Sequence, residues 1–400
     1  MTIERDLENG GLRRRVGRGV AVAVIGLLAS ATYATAAYAD PGPALAPHAD
    51  AARVGVGAGS RSVMPGMAGI IAVRPDGEVF ATVGHGKVKL WDMATGRRTG
   101  PAFAADTGAI YSVGFSPDGK LLAVAGEREV ALWDSATGRR SGPALAGHTG
   151  PVRSVGFSPD GELVATAGDD GTVRLWDAAT GNAVRTLTGH SGKARSVVFS
   201  PDGELLASAG ADDNSVRLWQ TGTGRPVGEP LTLSPGPVHA LSFNPAGTLL
   251  ATSGGGNAVR LWNPVTGASV GQPLTSSAGP VYALTFSLDG KLLATSSGGD
   301  NTVQLWDVAT RQPAAGPLTG HTGPVRAMRF SPDGKLLATG SDDGTVRLWD
   351  AATGRLDGTP LTGHDGQVWA LRFSPDGEHL ITAGADDEAR LWHLAERDAA

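Results

Sequence analysis

One tryptophan recurs at a nearly constant spacing along most of the chain, and this spacing limits the fold more than any other feature. Eight Trp residues each follow a Leu, and successive members are 42 to 44 residues apart. They are Trp91, Trp133, Trp176, Trp219, Trp262, Trp306, Trp349 and Trp392. A period of this length is typical of folds in which one small unit packs on copies of itself. The 400 residues are therefore predicted to form mainly one repeat domain, and not two or three unrelated ones.

Each unit has the pattern of a small antiparallel sheet. In residues 147–181, the stretches PVRSVGF, ELVATAG and TVRLWD are rich in β-branched residues and are predicted strands. An SPDG turn at 158–161 and the turn Asp169-Asp170-Gly171 separate them, because Pro, Asp and Gly favour tight turns. RTLT at 185–188 is predicted to add a shorter fourth strand. A sheet this small must pack against its neighbours to be stable.

The motifs of the unit recur together. A Gly-His pair stands before the SPDG turn, as at Gly147-His148, and five of the eight Trp residues continue as Trp-Asp. In this combination the chain resembles the WD-repeat β-propeller family over residues 51–394. The resemblance implies an all-β propeller of eight four-stranded blades, with seven as the alternative because the first repeat is degenerate. It also implies that the last blade borrows its outer strand, and Arg53–Ser60 is expected to supply this strand and close the ring.

The resemblance further implies a buried network in each complete repeat, which we call a tetrad. In the family, a Trp indole N–H binds a Ser or Thr hydroxyl, the hydroxyl binds a His, and the His binds an Asp. Four repeats have all four residue types: His148, Thr166, Asp170 and Trp176; His190, Ser208, Asp213 and Trp219; His321, Thr339, Asp343 and Trp349; His364, Thr382, Asp386 and Trp392. Hydroxyl, imidazole and carboxylate are also the parts of a hydrolase triad. Four copies around one ring favour a structural role.

One position varies while its neighbours stay almost constant. It lies five residues after the His of the Gly-His motif, and we call its seven members the variable row: Tyr111, Arg153, Arg195, His239, Tyr282, Arg326 and Trp369. The first repeat has Gly69 there. In the family this position lies near the mouth of the central channel, on the face that binds partners, and Arg, Tyr and Trp are enriched in binding hot spots. The row is therefore predicted to bind a partner; the alternative is that it fills the channel. Asp169, Asp212 and Asp342 are expected to line the same face.

Composition excludes several classes of function. The chain has no Cys, so disulfides, thiolate zinc sites and cysteine nucleophiles are impossible. A net charge of -5 argues against nucleic acid as a partner. The GxSxG match at Gly267–Gly271 falls in an outer-strand segment without the helix that a nucleophile elbow needs. We therefore expect no catalytic residue, no metal site and no cofactor.

The predicted function is a monomeric, non-catalytic scaffold for proteins or peptides. The alternative is an extracellular hydrolase or lyase with a site at the channel mouth.

The N-terminal segment has the three parts of a secretory signal. Several arginines, among them Arg13 to Arg15, precede an uncharged stretch that runs from Gly19 to Ala39 and ends in Ala-Tyr-Ala. Residues 1–39 are therefore predicted to be a signal peptide, 40–50 a Pro-rich linker and 395–400 a tail. The expected location is secreted or at the cell surface. The alternative is a retained single-pass anchor, which would make the protein a membrane-anchored sensor or assembly subunit.

Overall fold

The computed structural model describes residues 60–64, 70–84, 86–100, 102–104, 108–232, 236–254, 256–275 and 278–394. Within these ranges the regular structure is all β, in eight separate antiparallel sheets, which confirms the predicted fold class at this level. No helix of the described part is long and apolar enough to cross a bilayer. The predicted signal peptide, linker and tail lie outside the described residues.

Sheets 1 to 4 each contain four strands that follow one another in the chain. Their inner strands come first and their outer strands last. Sheet 1 contains β2 (Ile71–Val73), β3 (Val79–Gly84), β4 (Lys87–Asp92) and β5 (Phe103–Ala104); sheet 2 contains β6 (Ser112–Phe115), β7 (Leu121–Ala125), β8 (Glu129–Asp134) and β9 (Leu145–Ala146); sheet 3 contains β10 (Val152–Phe157), β11 (Leu163–Gly168), β12 (Val173–Asp177) and β13 (Ala183–Leu187); sheet 4 contains β14 (Ala194–Phe199), β15 (Leu205–Gly210), β16 (Ser215–Gln220) and β17 (Leu231–Thr232).

Sheets 5 to 8 continue the series with two variations. In sheets 6 and 7 the fourth position is taken by isolated bridges, such as Val303 with Leu318 and Val346 with Leu361, and not by a strand. Sheet 5 contains β18 (Val238–Phe243), β19 (Leu250–Gly254), β20 (Ala258–Trp262) and β21 (Leu274–Thr275); sheet 6 contains β22 (Leu284–Phe286), β23 (Leu292–Ser296) and β24 (Val303–Asp307); sheet 7 contains β25 (Val325–Phe330), β26 (Leu336–Ser341) and β27 (Val346–Asp350); sheet 8 contains β28 (Val368–Phe373), β29 (His379–Gly384), β30 (Ala389–His393) and β1 (Ser60–Met64).

Sheet 8 takes its outer strand from the other end of the chain. β1 pairs antiparallel with β30, with Ser60 opposite Trp392 and Arg61 opposite Leu391. The described strand Ser60–Met64 shares Ser60 with the predicted segment Arg53–Ser60 and continues beyond it, whereas residues 53–59 lie outside the described part of the chain.

The apolar core lies between the sheets. Val155 and Phe157 of sheet 3 share one buried cluster with Leu132 and Leu145 of sheet 2, and the other successive sheets share clusters of the same kind. An eighth cluster joins Phe80 and Trp91 of sheet 1 to Ile381 and Leu391 of sheet 8. Each sheet thus buries both faces against neighbours, and the last sheet packs on the first.

Candidate functional site

The variable row coincides with an irregularity of the backbone. In sheet 3 the pairing of β10 with β11 shifts register between Val152 and Ser154, so Arg153 lies at a β-bulge. The same shift flanks Arg195, His239, Arg326 and Trp369 in sheets 4, 5, 7 and 8. A bulge bends its strand and redirects the side chain it carries. Because of the repeated bulge, these five side chains do not follow the regular alternation between the two faces of the sheet that the other residues of the innermost strand follow.

The two tyrosines of the row stand just before their strands. Tyr111 directly precedes β6, and its backbone N–H donates to the Ala125 carbonyl at 2.9 Å. Tyr282 lies two residues before β22. All seven side chains of the row are half-buried, which places them neither in the core nor fully in solvent. Gly69, the corresponding residue of the first repeat, lies outside the described residues.

One contact group of the row joins sheets 2 and 3. Arg153 donates to Asp169 Oδ2 from Nη2 at 2.6 Å and from Nε at 3.0 Å. Its guanidinium carbon also stands 4.1 Å from the centre of the Tyr111 ring, which is a cation–π distance. The Asp169 backbone N–H donates to the Pro151 carbonyl at 2.8 Å, and this bond fixes the turn beside the bulge. The hydrogen bond from Arg153 to Asp169 is the main reason that the pKa of Arg153 is raised, so the guanidinium stays charged.

A second group joins sheets 5, 6 and 7. Arg326 donates to Asp342 Oδ2 from Nε at 2.9 Å and from Nη2 at 2.8 Å. The guanidinium lies 4.0 Å from the centre of the Tyr282 ring, and the His239 ring is tilted against Tyr282 at 5.2 Å between centroids. Burial, and then the charge of Arg326, lower the pKa of His239. The imidazole is therefore neutral at pH 7.

The remaining members of the row make fewer contacts. Arg195 Nε is shielded from solvent and has no hydrogen-bond partner among the described residues. Asp212 is exposed and accepts the backbone N–H of Lys193 at 3.0 Å. The Trp369 indole N–H donates to Oε1 of Gln367, two residues earlier in the chain, at 2.9 Å. The structure thus brings five of the seven residues into two groups and leaves Arg195 and Trp369 outside both.

Each tetrad forms a continuous chain of hydrogen bonds. In sheet 3 the Trp176 indole N–H donates to Thr166 Oγ1 at 2.9 Å, His148 Nε2 lies 2.8 Å from the same oxygen, and His148 Nδ1 lies 3.0 Å from the Asp170 carboxylate. The other three tetrads have the same order of contacts: Trp219, Ser208, His190 and Asp213; Trp349, Thr339, His321 and Asp343; Trp392, Thr382, His364 and Asp386.

Burial distinguishes these networks from a hydrolase triad. The four His side chains are at most 1% exposed, so a substrate has no access to the hydroxyl or imidazole in this arrangement. Burial also lowers the pKa of His148 and His190, which keeps both rings neutral at pH 7. Burial opposes ionisation of Asp170, but hydrogen bonds from Thr149 and Thr172 outweigh it and lower the pKa of that carboxyl.

Two of the tetrads directly support the variable row. Asp170 belongs to the tetrad of sheet 3, and its chain neighbour Asp169 holds Arg153. In sheet 7, Asp343 likewise belongs to the tetrad, and its neighbour Asp342 binds Arg326. One turn therefore connects a buried network to a half-buried ion pair. Sequence reasoning identified the acids of this turn, but the pairing of Asp169 with Arg153 depends on the bulge and could not be read from spacing alone.

Comparison with known proteins gives one family and one fold. A family model described as "WD domain, G-beta repeat" matches residues 99–134, 141–177, 181–220, 228–263, 270–307, 314–350 and 354–393, which together exceed half of the chain. Sheet 1 lies almost wholly outside these matches. No curated protein sequence matches the chain. The crystal structure of the computationally designed Ika8 protein is similar, with a TM-score of 0.72 and 23% identity over 83% of this chain and 98% of that one. At this identity, the similarity concerns the fold alone.

Proposed function

Since the chain belongs to the WD-repeat family, we propose that it is a non-catalytic, monomeric scaffold that binds a protein or peptide through the variable row. Propellers of this family typically act as interaction platforms. The observation that carries the proposal is the bulge at Arg153, Arg195, His239, Arg326 and Trp369. The backbone departs from regular pairing at the position where the repeats differ in side chain, and bulges of this kind commonly redirect functional residues.

The chemistry of the row supports protein binding. Arg, Tyr and Trp supply large contact areas and directional hydrogen bonds, and these residue types dominate binding hot spots. The ion pairs of Arg153 with Asp169 and of Arg326 with Asp342 hold both guanidiniums in place before a partner arrives. A side chain that is already ordered loses less conformational freedom on binding. The row therefore has both the composition and the preorganisation of an interaction surface.

We further propose that residues 51–394 form a closed ring of eight blades, in two of which the fourth strand is reduced to isolated bridges. Two observations support closure: β1 completes sheet 8 beside β30, and sheets 1 and 8 share an apolar cluster. In a closed ring, the eight inner strands surround a central channel, and the variable row lines one of its mouths.

A matched pair of double variants tests the binding proposal. Immobilised wild-type protein is treated with extracts of the cells or medium that contain it, and retained proteins are identified after crosslinking. Arg195→Ala with Trp369→Ala should lose the retained partner, because both residues belong to the variable row. Neither residue belongs to the two ion-paired groups, so those contacts stay intact. Glu162→Ala with Glu204→Ala alters exposed residues at the other end of the sheets and should retain it. Equal retention by both double variants would refute the proposal.

Export is a separate proposal. Residues 1–39 would direct the chain out of the cytoplasm and be cleaved after Ala39. Sequencing the N-terminus of the protein recovered outside the cytoplasm tests this: Asp40 as the first residue supports cleavage, whereas an intact residue 1 on a membrane-bound chain would indicate an anchor.

A further inference from the structure

Two histidines face each other across neighbouring strands of sheet 8. His379 opens β29, and His393 ends β30 directly opposite it in the antiparallel register. Their ring centroids are 4.6 Å apart in an edge-to-face arrangement. Neither residue belongs to a tetrad or to the variable row, so the features described above give this pair no role.

Both members of the pair differ from the residues at the same positions in six other sheets. In six other sheets the same cross-strand position joins an aliphatic residue to Asp or Gln: Val79 with Asp92, Leu121 with Asp134, Leu163 with Asp177, Leu205 with Gln220, Leu292 with Asp307, and Leu336 with Asp350. Sheet 8 has imidazoles at both places. A single histidine could be a neutral substitution, but sheet 8 packs two imidazole rings against each other at this position.

Two carboxylates complete the cluster. Ligand atoms of Asp376, Glu378 and His379 all lie within 4.8 Å of one another. In sheets 2, 6 and 7 the acid of this turn is paired with a Lys two residues later, as Asp118 is with Lys120 at 3.1 Å. Sheet 8 has Glu378 at that place, as sheets 1, 3 and 4 have Glu78, Glu162 and Glu204, so sheet 8 differs from those three in the imidazoles that stand beside its two carboxylates.

His379 also has an unsatisfied polar atom. Its Nδ1 is shielded from solvent and makes no hydrogen bond within the described part of the chain. Burying a nitrogen without a hydrogen-bond partner costs free energy, and a bound cation would serve as a partner for this atom.

We propose that Asp376, Glu378 and His379 form a binding site for a divalent transition-metal cation of the Zn²⁺ type, with His393, whose ring packs against that of His379, as the fourth ligand. Imidazole suits Zn²⁺, Ni²⁺ and Cu²⁺, whereas sites for Ca²⁺ and Mg²⁺ are built from oxygen ligands. Ligands of tetrahedral Zn²⁺ lie about 2.0–2.2 Å from the metal. Glu378 is exposed and can rotate towards the metal. Asp376 is held at Oδ1 by the Ser374 hydroxyl and the Glu378 backbone N–H, which leaves Oδ2 to coordinate, and the histidines are fixed at the ends of paired strands.

The cluster lies at the opposite end of sheet 8 from the variable row. Trp369 is near the start of β28, and the turn that contains Asp376 follows the end of that strand, so Asp376 lies seven residues further along the chain and roughly 20 Å away. A cation there would crosslink β29, β30 and the turn before β29 in the sheet that also holds β1. The proposal is independent of partner binding, because the two sites share no residue.

Calorimetric titration of the protein with ZnCl₂ tests the site, on protein purified without a polyhistidine tag. Wild type should bind one equivalent of Zn²⁺ at this site. His379→Leu and His393→Asn each introduce a residue that another sheet has at the corresponding position, so both variants should fold. Each should weaken binding at least tenfold, and Asp376→Asn should weaken it in the same direction. The matched change Asp333→Asn, in the corresponding turn of sheet 7, should leave binding unchanged.

The same titrations can overturn the proposal. Absence of saturable Zn²⁺ binding to wild type would do so, as would wild-type affinity in a folded His379→Leu protein. Ca²⁺ binding with the affinity of Zn²⁺ would also contradict it, because imidazoles would then contribute nothing. A melting curve of each metal-free variant establishes that loss of binding is not loss of fold.

Discussion

The hydroxyl at the centre of each tetrad bonds to two ring systems at once. Thr166 Oγ1 accepts the Trp176 indole N–H and contacts His148 Nε2, while Asp170 holds the other imidazole nitrogen. Asp170 also accepts the backbone N–H groups of Thr149 and Thr172 at 3.0 Å each. A single buried hydroxyl therefore connects the third strand of sheet 3 to the loop that precedes its innermost strand.

Replacing this hydroxyl should destabilise the protein. Thr166→Val keeps the shape of the side chain, and the second repeat has Val124 at the same place. The change leaves a buried indole N–H without an acceptor, so the free energy of unfolding should fall by about 1–3 kcal/mol. Urea unfolding followed by Trp fluorescence measures it. Thr149→Val, at an exposed side chain, should change stability by less than about 0.5 kcal/mol; equal effects would contradict the role of the shared hydroxyl.

The buried histidines predict a direction of pH dependence. The pKa of His148 and His190 lies below the ordinary value of 6.5 in the folded protein, mainly because of burial. Below about pH 6.5 the unfolded chain therefore binds more protons than the folded one, and stability falls as pH decreases. The free energy of unfolding should be lower at pH 5 than at pH 7.5, and less so in His148→Gln with His190→Gln. A flat profile in wild type would contradict this assignment.

At the residue scale, the resemblance to the WD-repeat family implied which side chains would meet in the tetrads. His148, Thr166, Asp170 and Trp176 stand at the matching positions of one repeat, and the structure brings them into contact. The contacts within the variable row were not predictable in the same way. The contacts of Arg153 with Tyr111 and Asp169 depend on the packing of two sheets and on a bulge. Neither the sheet packing nor the bulge can be predicted from the residue pattern.

At the scale of the strand, proline determines how far the outer ladder extends. The outer segments of sheets 1, 2 and 4 to 7 contain a Pro, which has no N–H to donate and interrupts pairing. Their outer strands are two residues long or reduced to bridges. The segment of sheet 3 between Gly181 and His190 has no Pro, and β13 extends over five residues. The sequence predicted a strand at 185–188, two residues short of its true start at Ala183.

Hydrogen exchange should detect this difference. Val173 and Leu187 are paired in sheet 3, as are Leu175 and Arg185, so backbone amides along β13 have ladder partners. Amide exchange measured by mass spectrometry should be slower in residues 183–187 than in the outer segments around β9 and β17. Equal exchange rates in the three segments would show that the longer ladder gives no additional protection.

At the scale of the whole molecule, β1 is the strand that links the two ends of the repeat array. It pairs with β30, while sheet 1 packs on sheet 8 through Phe80, Trp91, Ile381 and Leu391. Repeat arrays lose stability when a terminal sheet exposes its edge and face. The eight Trp positions predicted the number of sheets, but they could not fix the bounds of a strand that lies outside the repeated pattern.

Replacing β1 should therefore destabilise the whole array of sheets. Substituting residues 60–64 with Gly-Ser-Gly-Ser-Gly keeps the chain length and removes the partner of β30. The melting temperature should fall by several degrees, because the ends of the array are then joined by side-chain packing alone. The same five-residue replacement at residues 40–44, in the predicted linker, should leave the melt unchanged. An unaltered melt after replacement of 60–64 would mean that β1 does not close the ring.

Site-specific photo-crosslinking tests the central claim most directly. A benzophenone amino acid placed at position 369 puts the reactive group in the variable row, and one placed at Val265, which is 72% exposed at the opposite end of sheet 5, serves as the control. Irradiation of the protein with its retained partner should give a covalent adduct from position 369 and none from position 265. An adduct formed from position 265 but not from position 369 would contradict the assignment of the variable row as the binding surface.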